Sequence, residues 1–280
     1  MNKTLKRVKK VQVFLFALIA AIITLPSCNP DDLPIGNNEN PSNVPEKRLI
    51  KMISQVKIDG QDIISEYTYT WDEDLLTKVV DVSKLDSIID TTTFDFIYNK
   101  RQLVKIIQKT IDVDRIEEYR YTWENEKIIK ELYYLKNLYQ NSEFSSLYIY
   151  SYYNEKLSQI KFTANDERYV LITWNGNNLA GIKYEDSNHG EYYRLLYEYG
   201  NGKNPLFQRN IGYNLCNAFS PTPAWSFNNI TKIIEHYYYY GEFVSDTTIV
   251  YNTYDKDGYP TTMSFVAKTE LARYTYIYDK

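Results

Sequence analysis

A repeat with a period near 25 residues runs through most of this 280-residue chain. Each copy opens with apolar residues in strict alternation, closes on an aromatic residue and continues with a polar turn. Residues 119–130 show the pattern in full as Tyr-Arg-Tyr-Thr-Trp, then Glu-Asn-Glu, then Lys-Ile-Ile-Lys. Because alternation with a period of two is typical of a strand with one buried face, each copy predicts a β-hairpin.

The closing aromatic residue, here called the anchor, recurs at spacings of 22 to 29 residues. Nine positions fit the pattern: Trp71, Tyr98, Trp123, Tyr152, Trp174, Tyr199, Trp225, Tyr254 and Tyr278. Turns rich in Asp, Asn and Gly follow most of them, and these residues favour the positive φ of tight hairpins. Apolar residues return five and eight positions after the anchor, as at Leu76 and Val79. These offsets have opposite parity, so either a bulge follows the turn or both faces are partly covered.

Two strands from each unit predict one all-β domain over residues 48–280, an antiparallel up-and-down meander of about 14 to 17 strands. A sheet this long must be strongly curled or closed into a barrel-like shell, which would remove its exposed edges. Two units deviate from the repeat. Pro205, Pro221 and Pro223 predict a loop or short helix between Asn204 and Asn229. The last unit ends at residues 278–280, a first strand without a return.

The N-terminus has the features of an export signal. Five basic residues lie in the first ten, and a 14-residue, mostly apolar stretch follows at residues 11–24, which is short for a membrane-spanning helix. Leu25-Pro26-Ser27-Cys28 resembles a bacterial lipobox, which implies a signal peptide over residues 1–27 and lipidation of Cys28. Residues 28–47 contain four prolines and five asparagines and predict a flexible tether. The alternative is a soluble secreted protein that is cut nearby.

A resemblance to known proteins accompanies these features. Tyr254-Asp255-Lys256-Asp257-Gly258 is similar to the YD repeat of Rhs-type proteins, whose strands wrap into large β shells. The whole of residues 48–280, with the leader and the Asn-Pro-Leu interruption at 204–206, resembles a Bacteroidetes lipoprotein family of unknown function with a porin-like fold. The resemblance implies an outer membrane lipoprotein on the periplasmic or the cell-surface side. It supplies no catalytic residues.

Charge and motif content exclude several kinds of function. The first 27 residues hold five of the 32 lysines and arginines and no acid, so the remainder carries 27 basic and 36 acidic side chains. This acidic body argues against nucleic-acid binding. The chain has neither metal-ligand spacings of His or Cys nor a glycine-rich phosphate loop, so we expect no metal, no cofactor and no catalytic residue of familiar type. Cys216 is expected to be a small buried residue.

The expected function is therefore a non-catalytic binding or scaffold module of the envelope, with an extracellular glycan or another envelope protein as partner. The alternative is a hydrolase that uses an unrecognised pair of carboxylates. The candidate ligand-binding residues are Tyr237, Tyr238, Tyr239 and Tyr240, because a strand of four tyrosines must present some of them to solvent. Lys78, Lys105 and Lys130 lie within predicted strands, which argues against a lipid-facing barrel wall. The oligomeric state is left open.

Overall fold

The structure of the chain is a computed structural model. It describes residues 47–58, 61–85, 88–111, 115–137, 142–163, 168–187, 190–207, 211–216, 222–239, 242–267 and 270–279. Its strands are β1 (Leu49–Ile58), β2 (Gln61–Asp72), β3 (Leu75–Leu85), β4 (Ile88–Asn99), β5 (Gln102–Thr110), β6 (Arg115–Glu124), β7 (Lys127–Asn137), β8 (Ser142–Tyr153), β9 (Lys156–Phe162), β10 (Arg168–Asn175), β11 (Asn178–Asp186), β12 (Gly190–Lys203), β13 (Asn228–Tyr239), β14 (Glu242–Tyr254), β15 (Pro260–Ala267) and β16 (Glu270–Tyr278).

These strands form a closed antiparallel barrel in which each strand pairs with its neighbours in the chain. The barrel closes where β1 pairs with β16. The predicted all-β meander of about 14 to 17 strands is therefore confirmed, and of the two shapes considered the sheet adopts the closed one. The leader, Cys28, the tether up to residue 46 and Tyr240 lie outside the described residues, so the predictions made for them stay predictions.

The closure explains how the last unit finds its return strand. Tyr278 on β16 pairs with Leu49 on β1, just as Trp71 pairs with Leu76 in the first hairpin. The strand β1 thus acts as the return strand of the final unit, although it comes from the other end of the chain. No turn joins the two strands, and a pair of hydrogen bonds takes its place. The backbone N–H of Asp279 donates to the Arg48 carbonyl at 3.0 Å, and the Arg48 N–H donates to Asp279 Oδ1 at 2.8 Å.

A bulge sits at the same place in every strand pair that carries an anchor. Thr70 pairs with Lys78 and Trp71 with Leu76, so Thr77 is an extra residue on the return strand. Equivalent register shifts occur beside the seven other strand anchors, Tyr98, Trp123, Tyr152, Trp174, Tyr199, Tyr254 and Tyr278. The extra residue shifts the alternation of side chains by one position. Leu76 and Val79 therefore both point inward, and both are buried. Of the two explanations for the offsets, the bulge is the correct one.

The anchors also join neighbouring hairpins. The Trp71 Nε1–H donates to the Leu49 carbonyl at 2.8 Å, and the Tyr98 hydroxyl donates to the Leu76 carbonyl at 2.9 Å. Four further anchors make the same bond to the residue at the start of the preceding return strand: Trp123 to Leu103, Tyr152 to Ile128, Trp174 to Leu157 and Tyr278 to Pro260. A bulge interrupts the ladder locally. The neighbouring anchor supplies a donor to the carbonyl beside that interruption.

One predicted anchor is wrong. Trp225 does not lie in a strand, because residues 204–227 form an insertion between β12 and β13. The hairpin of this unit instead pairs Tyr199 with Ile230. Two polar residues take the place of the usual anchor bond on either side of this hairpin. Ser226 Oγ lies 2.6 Å from the Tyr199 hydroxyl and accepts from the Leu179 N–H at 3.2 Å. Asn252 Nδ2 donates to the Ile230 carbonyl at 2.8 Å. Among the described residues, nine apparent units therefore build eight anchored strand pairs, seven between consecutive strands and one between β16 and β1.

The insertion folds into the barrel, and its described parts (204–207, 211–216 and 222–227) are here called the plug. It has the predicted loop character, with a single 3₁₀ turn at Tyr213–Leu215. Leu206, Ile211, Leu215 and Trp225 are each at most 3% exposed and belong to the hydrophobic core. Eight-stranded barrels fill with their own side chains, whereas barrels of 16 strands leave a channel. The plug occupies part of that space.

The outer wall of the barrel is charged as well as apolar. Lys51 pairs with Glu66 at 2.7 Å, Lys105 with Glu118 at 3.4 Å and Lys232 with Glu198 at 2.8 Å, each pair joining two neighbouring strands. Lys78 and Lys130 are also exposed on the outer wall. Between these charges lie exposed apolar residues such as Ile64 and Ile249. The outer wall therefore lacks an unbroken apolar band. No helix in the part of the chain that the structure describes has the length and apolarity to cross a membrane.

We expect the anchor bonds to contribute measurably to stability. Replacing Tyr98 with Phe removes only the hydroxyl and leaves the Leu76 carbonyl without this donor. Loss of one partner of a part-buried hydrogen bond costs about 1 to 2 kcal/mol, which lowers Tm by roughly 2 to 6 °C in a domain of this size. Thermal unfolding followed by circular dichroism measures the shift. The control is Tyr153→Phe, whose side chain is 72% exposed and should leave Tm unchanged. Equal effects of both variants would refute the role of the anchor bond.

Candidate functional site

The inward side chains change character along the barrel axis. At the turn end, where the hairpin turns lie, the first inward residues of the return strands are buried and apolar: Leu76, Leu103, Ile128, Leu157, Leu179 and Ile230. Towards the opposite end, where Val56 and Ile63 are buried and apolar, many of the other buried residues are polar: Ser54, Ser65, Thr110, Glu117, Glu235 and Asp246. The interior thus has an apolar turn end and a second end, here called the polar end.

Glu131 on β7 holds the plug to the barrel wall. Its side chain is fully buried and accepts hydrogen bonds from the Tyr150 hydroxyl, the Tyr213 backbone N–H at 3.0 Å and Asn214 Nδ2 at 2.7 Å. Gly212 lies against it so closely that a Cβ would approach Tyr121 Cε1 to 2.3 Å and Glu131 Oε2 to 2.5 Å. Burial raises the pKa of the Glu131 carboxyl to about 7, and the surrounding donors oppose this rise only in part. Sequence patterns give no signal for this contact.

Two acids meet on neighbouring strands at the polar end. Glu235 on β13 is the cross-strand partner of Asp246 on β14, and each is 4% exposed. The Tyr193 hydroxyl hydrogen-bonds Glu235, and the Tyr237 hydroxyl donates to Asp246 Oδ2 at 3.0 Å. Burial, together with the charge of Asp246, raises the pKa of Glu235 to about 7. Each carboxyl of this pair is therefore covered and paired with a tyrosine.

Further acids line the same end of the interior. Glu117 Oε2 accepts from the hydroxyls of Tyr119 at 3.0 Å and Tyr133 at 2.8 Å, and its Oε1 pairs with Arg115 at 2.7 Å. Asp81 accepts from the Ser83 hydroxyl at 3.0 Å, and burial raises the pKa of Asp81 to about 7. The polar end is thus lined by carboxylates and tyrosine hydroxyls that hydrogen-bond one another.

Aromatic side chains at the rim of the polar end remain partly exposed. Phe144, near the start of β8, is 53% exposed and lies edge-on to the half-buried ring of Tyr133, at 6.3 Å between centroids. Tyr193 and Tyr237 are likewise only partly buried. This end of the interior therefore offers ring surface and part-exposed tyrosines to solvent.

The structure separates the predicted tyrosines. Tyr237 faces inward and bonds Asp246, whereas Tyr238 lies on the outer wall and is 57% exposed. Phe243, on the neighbouring strand, contacts Tyr238 edge-on at 5.6 Å and stacks on His236 at 5.2 Å. These three outer residues are here called the outer aromatic patch. Tyr239 ends β13, but its side chain lies outside the described residues, as does all of Tyr240. The binding role of the four tyrosines stays a prediction.

Other residues considered in the sequence have structural contacts. Cys216 is buried in the plug, as expected, and burial raises the pKa of its thiol to about 12. Asp255 forms the β14–β15 turn, where its Oδ1 accepts from the Asp257 N–H at 2.9 Å and the Tyr259 N–H at 3.0 Å. Over the described ranges, no group of three or more His, Cys, Asp or Glu side chains is placed to hold a metal ion.

The fold and interior define a plugged, closed up-and-down β-barrel. No protein-family model matches the chain, and no curated protein matches it in sequence. Among solved structures, it resembles a porin-like protein from Bacteroides uniformis, with a TM-score of 0.52 and 12% identity over 82% of this chain and 96% of that one. A porin-like protein from Bacteroides vulgatus aligns with a TM-score of 0.40 and 10% identity over 84% and 99% of the two chains. The first likeness confirms the porin-like fold. The lipoprotein family and the YD-type repeat remain predictions.

The buried acids predict a stability that falls with rising pH. Glu131, Asp81 and Glu235 have pKa values near 7 in the folded protein, above the value of about 4 in an unfolded chain. Their protonated forms favour the folded state below about pH 4, and this contribution is lost as the pH rises through 7. We expect Tm to be roughly 5 °C or more lower at pH 8 than at pH 5.

The same prediction has a matched variant. Glu131→Gln keeps the shape and an acceptor for the plug but does not ionise, so the difference in Tm between pH 5 and pH 8 should narrow. Lys130→Gln is the control, because this neighbouring side chain is exposed on the outer wall. An unchanged pH dependence in Glu131→Gln would show that this carboxyl does not titrate in the folded state near pH 7.

Proposed function

We propose that the protein is a lipid-anchored lipoprotein of the outer membrane that binds an extracellular glycan at the polar end of its barrel, without catalysing a reaction. The observation that carries the proposal is the partly exposed rim of tyrosine and phenylalanine rings above an interior lined with carboxylates. Aromatic rings stack on the apolar faces of sugars, at about 1 kcal/mol for each contact. The hydroxyls of the part-buried Tyr133, Tyr193 and Tyr237 bond the buried carboxyls, and their oxygens keep lone pairs that accept hydrogen bonds from sugar hydroxyls.

The outer aromatic patch extends this proposed surface. Tyr238 and Phe243 lie near the polar end on the outer wall, so a long glycan that leaves the interior would pass over them. Tyr237 lines the interior on the opposite face of the same strand. Tyr237 to Tyr240, the residues predicted from the sequence, would therefore contact the glycan where it crosses the rim. Another envelope protein is the alternative partner for the same patch.

The place where the chain enters the barrel supports a binding site at the polar end. Lys47, the first described residue, pairs with Asp255 at 2.8 Å and Asp257 at 2.5 Å in the β14–β15 turn. The tether predicted after Cys28 therefore reaches the barrel at its turn end. A lipid at Cys28 would therefore be connected to the turn end, which leaves the polar end free of the attachment point. The charged outer wall favours a barrel outside the bilayer.

The hydrolase alternative finds little support in the geometry. Glu235 and Asp246 oppose each other across two strands, as a catalytic pair would. Each is only 4% exposed and bonds a tyrosine, so neither carboxyl is presented to solvent as a general acid or a nucleophile would be. These contacts fit a structural network better than a catalytic dyad.

The binding proposal predicts distinct effects of two substitutions. Phe144→Ser removes an exposed ring from the rim, and Tyr238→Ser removes one from the outer wall; each should weaken glycan binding by about fivefold, the loss of one stacking contact. The measurement is a glycan array followed by titration calorimetry with the mature protein. Tyr251→Ser is the control, because this residue is 63% exposed on the outer wall closer to the turn end. Unchanged binding in both test variants, or a large loss of Tm instead, would contradict the proposal.

Lipidation of Cys28 is tested in cells. Labelling with radioactive palmitate should mark the wild-type protein and fail to mark Cys28→Ala, because the thiol is the site of the first acyl transfer. Cys216→Ala is the matched control and should keep the label, since this second cysteine is buried in the plug. Equal incorporation in wild type and Cys28→Ala would show that the protein is not a lipoprotein.

A further inference from the structure

The turn end carries a cleft that plays no part in the site proposed above. It has a volume of about 350 Å³ and lies between the β6–β7, β8–β9 and β10–β11 turns and the plug. Its walls are aromatic and aliphatic, with Tyr152, Trp174 and Trp225 among them, and its rim carries the side chains of Asn125 and Asn154. A cleft of this size with apolar walls and a few polar groups is typical of a small-ligand site.

The aromatic walls are fixed before any ligand arrives. The Tyr152 hydroxyl donates to the Ile128 carbonyl at 2.8 Å, the Trp174 Nε1–H to the Leu157 carbonyl at 2.6 Å and the Trp225 Nε1–H to the Ile211 carbonyl at 2.9 Å. Because each polar atom is already bonded to backbone, these side chains offer only carbon surface to the cleft. Rings held in this way lose little conformational entropy on binding.

The charges around the cleft argue against an ionic ligand. Lys127 pairs with Glu155 at 2.6 Å and lies 5.3 Å from the centre of the Tyr152 ring, while Lys156 donates to the Gly176 carbonyl. Two lysines and two glutamates line the cleft, so their formal charges cancel. A phosphate or carboxylate ligand would have to displace these contacts, whereas a neutral ligand would not.

The rim supplies groups that suit hydroxyls. Asn125 and Asn154 occupy the same position in adjacent turns, with φ of 48° and 47°. Each side-chain amide has two donors and an acceptor, the combination that pairs with a hydroxyl. We infer that this cleft binds a neutral sugar ring, which packs its apolar face on the Trp174 wall and bonds its hydroxyls to Asn125 and Asn154. This is a second saccharide site, at the opposite end of the barrel from the first.

The positive φ of the two asparagines provides a clean test. Glycine adopts positive φ without strain, so Asn125→Gly and Asn154→Gly remove the amides without harming the turns. Lys100→Gly makes the same backbone change at the matching position of the β4–β5 turn, where φ is 48° and the side chain does not line the cleft. The three variants should fold with equal or higher Tm, so a change in binding is not a folding defect.

Tryptophan fluorescence of the mature protein reports on the cleft, because Trp174 and Trp225 line it. The neutral probes are maltoheptaose, cellohexaose and mannohexaose, and hexagalacturonate is the anionic comparison. At least one neutral probe should change the fluorescence, and the double variant Asn125→Gly/Asn154→Gly should weaken its binding about tenfold, while Lys100→Gly has no effect.

Three results would overturn the inference: no response to any neutral probe, equal binding by the double variant, or preference for the anionic probe. The Phe144→Ser variant separates this site from the one at the polar end. It should keep the fluorescence response even where it loses binding on the array. A negative result for one of the two proposed sites therefore does not contradict the other.

Discussion

The barrel depends on the contact between each anchor and the bulge of the preceding hairpin. The bulge adds one residue to every return strand, which turns Leu76 and Val79 to the same face and leaves a carbonyl to be bonded from outside the hairpin. The Trp or Tyr of the next unit supplies that donor in six units, and Asn252 supplies it to the Ile230 carbonyl. These units thus depend on their successors, and a single hairpin would lack the donor. This dependence links local turn geometry to a sheet that continues until it closes.

Closure by a split unit follows from the same dependence. The last anchor, Tyr278, needs a return strand, and β1 needs a donor for the Leu49 carbonyl, which Trp71 supplies. The two chain ends complete one unit between them, so neither terminal strand is left as an open edge. The consequence for function is positional. Lys47 is fixed at the turn end by Asp255 and Asp257, so the polar end, with the proposed glycan site, lies at the far end of the barrel from the point where the chain enters.

The repeat, its turns and the approximate number of strands could be predicted from the sequence. The alternation of apolar and polar residues and the spacing of about 25 residues between anchors are both local patterns. The prolines also predict the interruption between Asn204 and Asn229. They do not show that this segment folds into the barrel. Trp225 was mistaken for an anchor because it stands at the expected spacing, and only the contact of its Nε1–H with Ile211 shows that it serves the plug. Glu131 gave no signal at all. Its role depends on residues 82 and 83 positions away, Tyr213 and Asn214, and a single sequence does not record such distant pairings.

The position of the plug decides which parts of the interior can bind a ligand. Sixteen strands enclose more space than inward side chains fill, so something must enter or the channel stays wet. The plug packs against the turn end, where Leu206, Leu215 and Trp225 meet the apolar ring of the return strands. Its contact with Glu131 lies near the middle of β7, and beyond it carboxylates and tyrosines line much of the wall, with the aliphatic Val56 and Ile63 among them. A polar interior is costly unless it is hydrogen-bonded or wet, and the part-exposed rings of Tyr133 and Phe144 lie where water or a ligand reaches it. Because the plug packs against the turn end without filling the space beside the turns, the barrel has two places that solvent reaches, the rim of the polar end and the cleft between the turns and the plug.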